Sequence, residues 1–245
     1  MCQSCGRLTE THAGDASRRH FLRFAGAAVT SVALTSTSYA AKAPPPKAQN
    51  ILTPDAAFNR LMSGNRRYVT GVTKRHDFKS EREKLSSGQN PYAAILSCAD
   101  SRIAPEYAFD SARGDLFVCR VAGNFANDDV IASFEYGIAV LNCPLLMVLG
   151  HAACGAIDAT IKSVKDGTTL PGRLPSLVTA LSPAIKASAN QPGNALDNAI
   201  KQNVLLNMEK LRSATPIIDK AVADKKVRIV GGVYNLNTGR VDLVS

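Results

Sequence analysis

Apolar residues run along this chain in two rhythms. Tyr92 to Cys98, Leu116 to Val121 and Pro144 to Leu149 are short, nearly continuous apolar runs, the pattern of strands buried on both faces of a parallel sheet. Other stretches repeat at helical spacing. Ala57, Phe58, Leu61 and Met62 make one stripe, opened by Thr53 as N-cap and Pro54 at the first helical position. Ile131, Phe134, Glu135, Ile138 and Leu141 predict a second, on a helix over 128–141. Cys154 to Lys165 begins a third helix; after Pro171 to Pro175 come helical stretches over 176–189 and 194–212. Val227 to Tyr234 and Val241 to Val244 read as two strands about a turn at Asn235-Leu236-Asn237-Thr238-Gly239. Strands alternating with helices predict an α/β fold, a mainly parallel sheet flanked by helices with an N-terminal helical arm. No internal repeat is present.

Composition narrows the class. The 245 residues are 45 % hydrophobic, enough for the core of one mid-sized domain, and the blocked apolar pattern excludes a disordered or fibrous chain. In the body of the chain no apolar run reaches the roughly 20 residues of a membrane span. Residues 1–40 read as an address: Ser17-Arg18-Arg19-His20-Phe21-Leu22-Arg23, a mild apolar stretch from Phe24 to Ala40, then small residues. They resemble a twin-arginine signal peptide, which implies export by that machinery, to the bacterial periplasm, of a protein that folds and takes up its cofactor beforehand. Residues 41–51, with Pro44-Pro45-Pro46, form a linker, and 52–245 a single domain. The chain carries 29 Lys and Arg against 20 Asp and Glu, a net +9. Without residues 1–40 the balance is 25 against 18, still +7, but dispersed and without aromatic interleaving, which argues against nucleic acid as a partner.

Six cysteines are too sparse for a disulfide scaffold, and their spacing points to metal or redox chemistry. Cys2-Gln3-Ser4-Cys5 lies on the removable leader. Cys98-Ala99-Asp100-Ser101-Arg102 closes the first buried strand, where a period of two sends Cys98, Asp100 and Arg102 to one side. His151-Ala152-Ala153-Cys154-Gly155 follows the third strand. Both segments fall at carboxyl ends of strands, where open α/β sheets place ligands. Two thiolates and an imidazole are a borderline-soft set suited to zinc, with Asp100 or water as fourth ligand. Cys119 and Cys143 read as core residues, though spacing alone leaves a disulfide between them open. His76 reads as a solvated surface group.

C-x-D-x-R followed about fifty residues later by H-x-x-C-G resembles the signature of the β-class carbonic anhydrases. The resemblance extends through Leu61-Met62-Ser63-Gly64-Asn65-Arg66-Arg67-Tyr68, Gly114-Asp115-Leu116-Phe117-Val118, Arg120-Val121-Ala122-Gly123-Asn124 and Tyr234 to Val241, so it covers nearly everything from Leu52 onward. It implies Cys98, His151 and Cys154 as ligands of one Zn2+ per subunit, with Asp100 as fourth ligand in a closed state. It implies Asp100 and Arg102 as the catalytic pair and Gln89, nine residues before Cys98, as the group contacting substrate oxygen. Phe117 and Tyr136 match positions lining the carbon dioxide pocket. The implied reaction is reversible hydration of carbon dioxide to bicarbonate and a proton, by zinc hydroxide that the Asp-Arg pair orients. Family subunits pair as homodimers that often assemble into higher even oligomers, with the site close to the interface.

Two thiolates cancel the formal charge of zinc, so activity is expected to rise towards alkaline pH. The competing readings are a carbonyl sulfide or carbon disulfide hydrolase of the same fold, and a non-turnover zinc or bicarbonate-binding protein locked with Asp100 on the metal. Gln89 and an intact Asp100-Arg102 pair favour hydration. Ala99, Ala152 and Ala153 stand where the family often has hydroxylated residues, which removes hydrogen bonds to the sulfurs.

Overall fold

The computed structural model describes residues 52–244; the leader, the linker, Cys2 and Cys5 lie outside the described residues. Strands β1 (Ala93–Ser97), β2 (Leu116–Arg120), β3 (Leu145–His151), β4 (Arg228–Tyr234) and β5 (Val241–Val244) form one sheet in the order β2-β1-β3-β4-β5. The first four are parallel and β5 returns antiparallel to β4. In this order the chain leaves β1 first towards one edge and then towards the other, so the switch point lies where β1 and β3 end side by side. That crevice is the ligand position of doubly wound sheets.

Helices cover both faces: α1 (Pro54–Val69), α2 (Phe78–Leu85), α3 (Pro105–Ala108), α4 (Asp128–Ala139), α5 (Gly155–Asp166), α6 (Pro175–Ser188), α7 (Ala195–Arg212) and α8 (Ile218–Ala223). Alternation along the strands sorts the two cores. Ala93, Ile95, Leu145, Met147 and Leu149 pack with Ala57 and Leu61 of α1 and with Phe109, whereas Ala94, Leu96, Leu146 and Val148 pack with Phe134, Val204, Met208 and Leu211. A third cluster, Cys98, Cys154, Ile157, Leu181, Ala199 and Ile200, sits beneath the carboxyl ends of β1 and β3.

The helical arm is locked by polar groups as well as by its apolar stripe. Thr53 Oγ1 accepts the Ala56 N–H at 3.2 Å, capping α1 as its sequence predicts. Buried Asn65 donates to Ala108 O and Gly239 O, both at 2.9 Å, and accepts the Val241 N–H at 2.9 Å. One side chain thus ties α1 to α3 and to the β4–β5 turn. Its neighbour Gly64 has no room for a side chain, since a Cβ there would stand 1.8 Å from Phe109 O.

Two expectations change, the α4 stripe and His76, and the structure adds short helices that the pattern did not predict. The α4 stripe is rotated: Val130, Phe134 and Gly137 are buried, while Ile131, Glu135 and Ile138 are half-buried. The helix packs on β1, β2 and α8, so Phe134 and Val130 go deepest among Ala94, Leu96, Ile218 and Ala221 while Ile131 and Ile138 flank them. The short helices α2, α3 and α8 lie in stretches whose apolar pattern is too brief to give a stripe. His76 is not a free surface group, because its Nδ1 lies 3.1 Å from Glu81 Oε1 and its Nε2 lies 3.9 Å from Asp110 Oδ1. Cys119 and Cys143 are both free thiols, Cys143 donating to Leu145 O at 3.5 Å from within the core.

Candidate metal centre

β1 and β3 are paired neighbours, with Ser97 in register with Leu149. Their ends therefore deliver Cys98, His151 and Cys154 to one point, where one donor atom from each lies within 4.8 Å of the others. All three are buried, His151 at 0 % and Cys154 at 1 % exposure. The loop between the two later donors is strained: Ala153 has φ +52°, a left-handed value that is uncommon for a residue with a Cβ. That conformation turns the Ala153 carbonyl to accept Arg102 Nη2 at 3.1 Å, joining the two motifs.

His151 is prepared as a ligand. Its Nδ1 lies 2.9 Å from Ala152 O, and a bond to a carbonyl places the proton on Nδ1. Nε2 is then a bare lone pair, buried and without a hydrogen-bond partner among the described residues. An orphaned buried acceptor is costly unless a cation meets it, and with two adjacent thiols the donor set matches a borderline-soft metal. The thiols share charge unequally: a hydrogen bond from Cys154, together with the Gly123 N–H, holds the Cys98 thiol far below its ordinary range, and the Cys154 thiol is pushed up in turn. Burial opposes a charge on His151, but the Cys98 sulfur and Asp100 more than offset it and raise its pKa.

Asp100 is held by Arg102 through two parallel bonds, Nε to Oδ1 at 2.9 Å and Nη2 to Oδ2 at 2.7 Å, and by the Arg102 N–H to Oδ1 at 2.9 Å. This bidentate clamp outweighs burial and keeps the carboxyl well below the usual carboxylate range. Asp100 Oδ2 stands 3.8 Å from His151 Nε2, beside the donor cluster. The strand alternation expected to align Cys98, Asp100 and Arg102 does not hold: β1 ends at Ser97, and a turn over Asp100–Arg102 closes the clamp instead.

Two supports were not legible in the motifs. Arg120, the last residue of β2, donates to the carbonyls of Cys98 (2.9 Å), Asp100 (2.7 Å) and Ile103 (2.9 Å), stapling the whole Cys98–Ile103 loop. The Gly123 N–H donates to Cys98 Sγ at 3.3 Å. The sequence signal for both is that Arg120 and Gly123 lie in the segment Arg120-Val121-Ala122-Gly123-Asn124 that resembles the family, which gives no role to either.

Gln89, Phe117 and Tyr136 are not gathered around these donors within one chain. Phe117 is in register with Ala94, four residues short of Cys98, about 13 Å along the strand at roughly 3.3 Å per residue. Tyr136 packs on Phe117 with ring centroids 6.3 Å apart and is 48 % exposed. Gln89 is exposed in the connection leading into β1, at the opposite end of that strand.

Fold and site together define an α/β protein with a soft-donor metal centre in the crevice of a doubly wound sheet. Residues 93–241 match the family model described as carbonic anhydrase. Carbonic anhydrase 2 of Mycobacterium tuberculosis is 36 % identical over 192 residues, 78 % of this chain and 92 % of that protein. The carbonic anhydrase of Mycolicibacterium smegmatis is 35 % identical, covering 78 % and 94 %. Among solved structures, the β-carbonic anhydrase CcaA superposes with a TM-score of 0.58 at 26 % identity, covering 77 % of this chain and 98 % of its own. Coccomyxa β-carbonic anhydrase gives 0.60 at 25 %, covering 75 % and 84 %. The chain belongs to the β-class carbonic anhydrases, and its enzyme class is that of a carbonate dehydratase, a lyase. That family is zinc-dependent, and the Cys98-His151-Cys154 cluster has the donors to hold such an ion.

Proposed function

We propose that Cys98, His151 and Cys154 hold one Zn2+ per subunit and that Asp100 and Arg102 orient the attacking water in the hydration of carbon dioxide. The observation that carries this reading is the bidentate clamp of Arg102 on Asp100 beside the unpartnered His151 Nε2. When bound, zinc supplies Lewis-acid activation, lowering the pKa of water from about 15.7 to near 7 in the three-histidine anhydrase site. Arg102 occupies both carboxylate oxygens and so restrains Asp100 from becoming a ligand itself. The remaining lone pairs of Asp100 Oδ2 accept a hydrogen bond from the attacking oxygen, which fixes that oxygen's own lone pair towards the carbon of carbon dioxide. Because its pKa is depressed, Asp100 stays an acceptor throughout neutral and mildly acidic pH. Gln89 donates to the substrate oxygen that gains charge. The attacking water would supply the third oxygen of bicarbonate and lose one proton to solvent, so that bicarbonate and a proton together account for the water and carbon dioxide consumed.

The pocket made by Gln89, Phe117 and Tyr136 is completed by a second copy. β2 is a sheet edge with an unpaired side. Antiparallel pairing of two such edges about a two-fold axis reverses direction, bringing the Phe117 end of one β2 beside the Cys98 end of its neighbour. This supports a homodimer or a higher even oligomer; tetrameric β-carbonic anhydrases of Sordaria macrospora share the fold, at 22 % identity and a TM-score of 0.62. Export to the periplasm rests on Arg18-Arg19 and the apolar stretch behind them, and no described helix is long and apolar enough to cross a membrane.

The test is stopped-flow carbon dioxide hydration with zinc content measured on the same samples. Asp100→Asn is expected to keep stoichiometric zinc and lose about 100-fold or more in turnover, the scale of a positioned proton-handling group. Normal turnover in Asp100→Asn would sink the assignment; stoichiometric zinc without turnover in the unaltered protein would favour the locked binding protein.

A further inference from the structure

Helix α7 buries Ala199, Ile200, Val204, Met208 and Leu211, yet the same face carries Asn203 and Asn207, 1 % and 6 % exposed. Asparagine is a poor helix former and an expensive core residue, so two of them one turn apart require a partner that apolar side chains cannot serve. That partner is the loop after β2. Asn207 Oδ1 accepts the Ala126 N–H at 2.7 Å, and Asn207 Nδ2 donates to Asn203 O at 2.8 Å and to Asn203 Oδ1 at 3.0 Å. Asn203 Nδ2 donates in turn to Gly123 O at 2.9 Å. Every polar atom of both amides is used. At the other end of Gly123, its N–H meets the Cys98 sulfur.

Gly123 is therefore held from two sides, by a buried amide pair and by a metal-binding thiolate. Its conformation, φ +83°, is left-handed and suits glycine, and a Cβ would stand 2.7 Å from Leu181 Cδ1, so a larger residue there would be strained and would displace the end of the Leu181 side chain. We propose that Asn203 and Asn207 are positioning residues for the metal: by anchoring the Gly123 carbonyl and the Ala126 N–H they fix the loop about the Gly123 Cα so that the Gly123 N–H stays on Cys98 Sγ and draws charge from that sulfur. The inference rests on the reading of Cys98, His151 and Cys154 as a metal site. It gives that site a means of offsetting the donation of two thiolates, in a chain whose Ala99, Ala152 and Ala153 bring no side-chain donor to the sulfurs. A purely structural role, satisfying buried backbone groups of the loop, predicts lost stability and nothing more.

Cobalt(II) separates the two roles, because its thiolate charge-transfer absorption reports the electron richness of the sulfur. The test loads the full chain with cobalt and compares the unaltered protein with Asn203→Leu and with Val204→Ala. Val204 is the next residue of α7, fully buried against the β3 and β4 glycines rather than the loop. Asn203→Leu is expected to move the charge-transfer band to longer wavelength and to weaken cobalt and zinc binding about 10-fold in competition titration, the lower end for loss of a group supporting a ligand. Val204→Ala is expected to lower the melting temperature of the metal-free protein and leave the band in place. Should Asn203→Leu fail to fold, Asn203→Ser, too short to reach Gly123 O, is expected to give the same shift at smaller size. A band that stays put in the folded Asn203 variant, or moves equally in Val204→Ala, overturns the inference while leaving the metal site intact. Absence of any thiolate-to-cobalt band in the unaltered protein overturns both.

Discussion

The candidate metal donors gather at the carboxyl ends of β1 and β3, whereas the proposed pocket residues Gln89 and Phe117 lie at the opposite end of β1 and β2. Cys98 directly follows β1 and Arg120 ends β2, whereas Gln89 precedes β1 and Phe117 stands second in β2. One end is assembled within a single chain: donors within 4.8 Å, a clamped carboxylate, a loop stapled by Arg120. The other end is a set of exposed or half-exposed groups on a sheet edge. The difference teaches that the Cys98-His151-Cys154 cluster and its clamped carboxylate are preorganised within one chain, whereas Gln89, Phe117 and Tyr136 are not brought to it; under the proposed function, recognition of the substrate would wait for a neighbour. A small, uncharged substrate suits this division, since shape and one oxygen contact are all that the pocket needs to provide.

The largest effect should come from the preassembled end. Cys154→Ala removes one of three donors that share a single buried point and leaves His151 Nε2 facing a cavity. Zinc content is expected to fall to background and turnover with it, measured by metal analysis after dialysis against a mild chelator. Full zinc in the purified variant would show that the cluster is not the site, and the contrast between the two ends would collapse.

The opposite end is sharpened by complementation. Gln89→Ala and Asp100→Asn should each be nearly inactive, the former by about 100-fold if Gln89 is an oxyanion donor. If Gln89 serves its neighbour's metal, co-refolding the two variants restores activity: half the dimers are mixed, and each mixed dimer has one site with both groups, giving about a quarter of the unaltered rate for an isologous pair. If Gln89 serves its own chain, every mixed site lacks one group and nothing is recovered. The readout is turnover per zinc, with dimerisation checked by sedimentation.

Legibility from sequence divides along the same line. The strands, α1 with its Thr53 cap, α6 and α7 were readable because each is long enough to show its period or carries its own stop and start signals. The donor set was readable because β1 and β3 are neighbours in the sheet, so two short motifs specify one place. The Asp100-Arg102 turn was misread as extended strand, since nothing in Cys98-Ala99-Asp100-Ser101-Arg102 marks where β1 stops; the staple by Arg120 stops it, from another strand. The rotation of α4 escaped for a similar reason. Its stripe is set by what α8 and the sheet offer, and Gly137 is buried without contributing any apolar side chain to the pattern. The Asn203-Asn207 pair was invisible because its partner is a loop some eighty residues away.

The smallest effect tests what holds the segment leading to Gln89. Buried Asp110 accepts Arg67 Nε at 2.5 Å and the Lys74 N–H at 3.0 Å, and His76 links the same carboxylate to Glu81 at the start of α2. Burial pushes the Asp110 carboxyl up, but Arg67, the Lys74 N–H and His76 together bring it below the ordinary value, which is about 3.9. The stabilisation from this shift is therefore complete above the unfolded pKa and is lost as pH falls through the lower folded one. Asp110→Asn preserves shape and tolerates the φ of +42° that Asp110 adopts. It is expected to cost about 1–2 kcal/mol at neutral pH, for loss of a charged hydrogen bond, and to flatten the acid limb of stability measured in urea below about pH 4. Zinc content should be unchanged, while KM rises a few-fold as the Gln89 segment loosens. A variant that instead lost zinc would mean that this latch supports the metal end of the strands, and that the two ends are not independent.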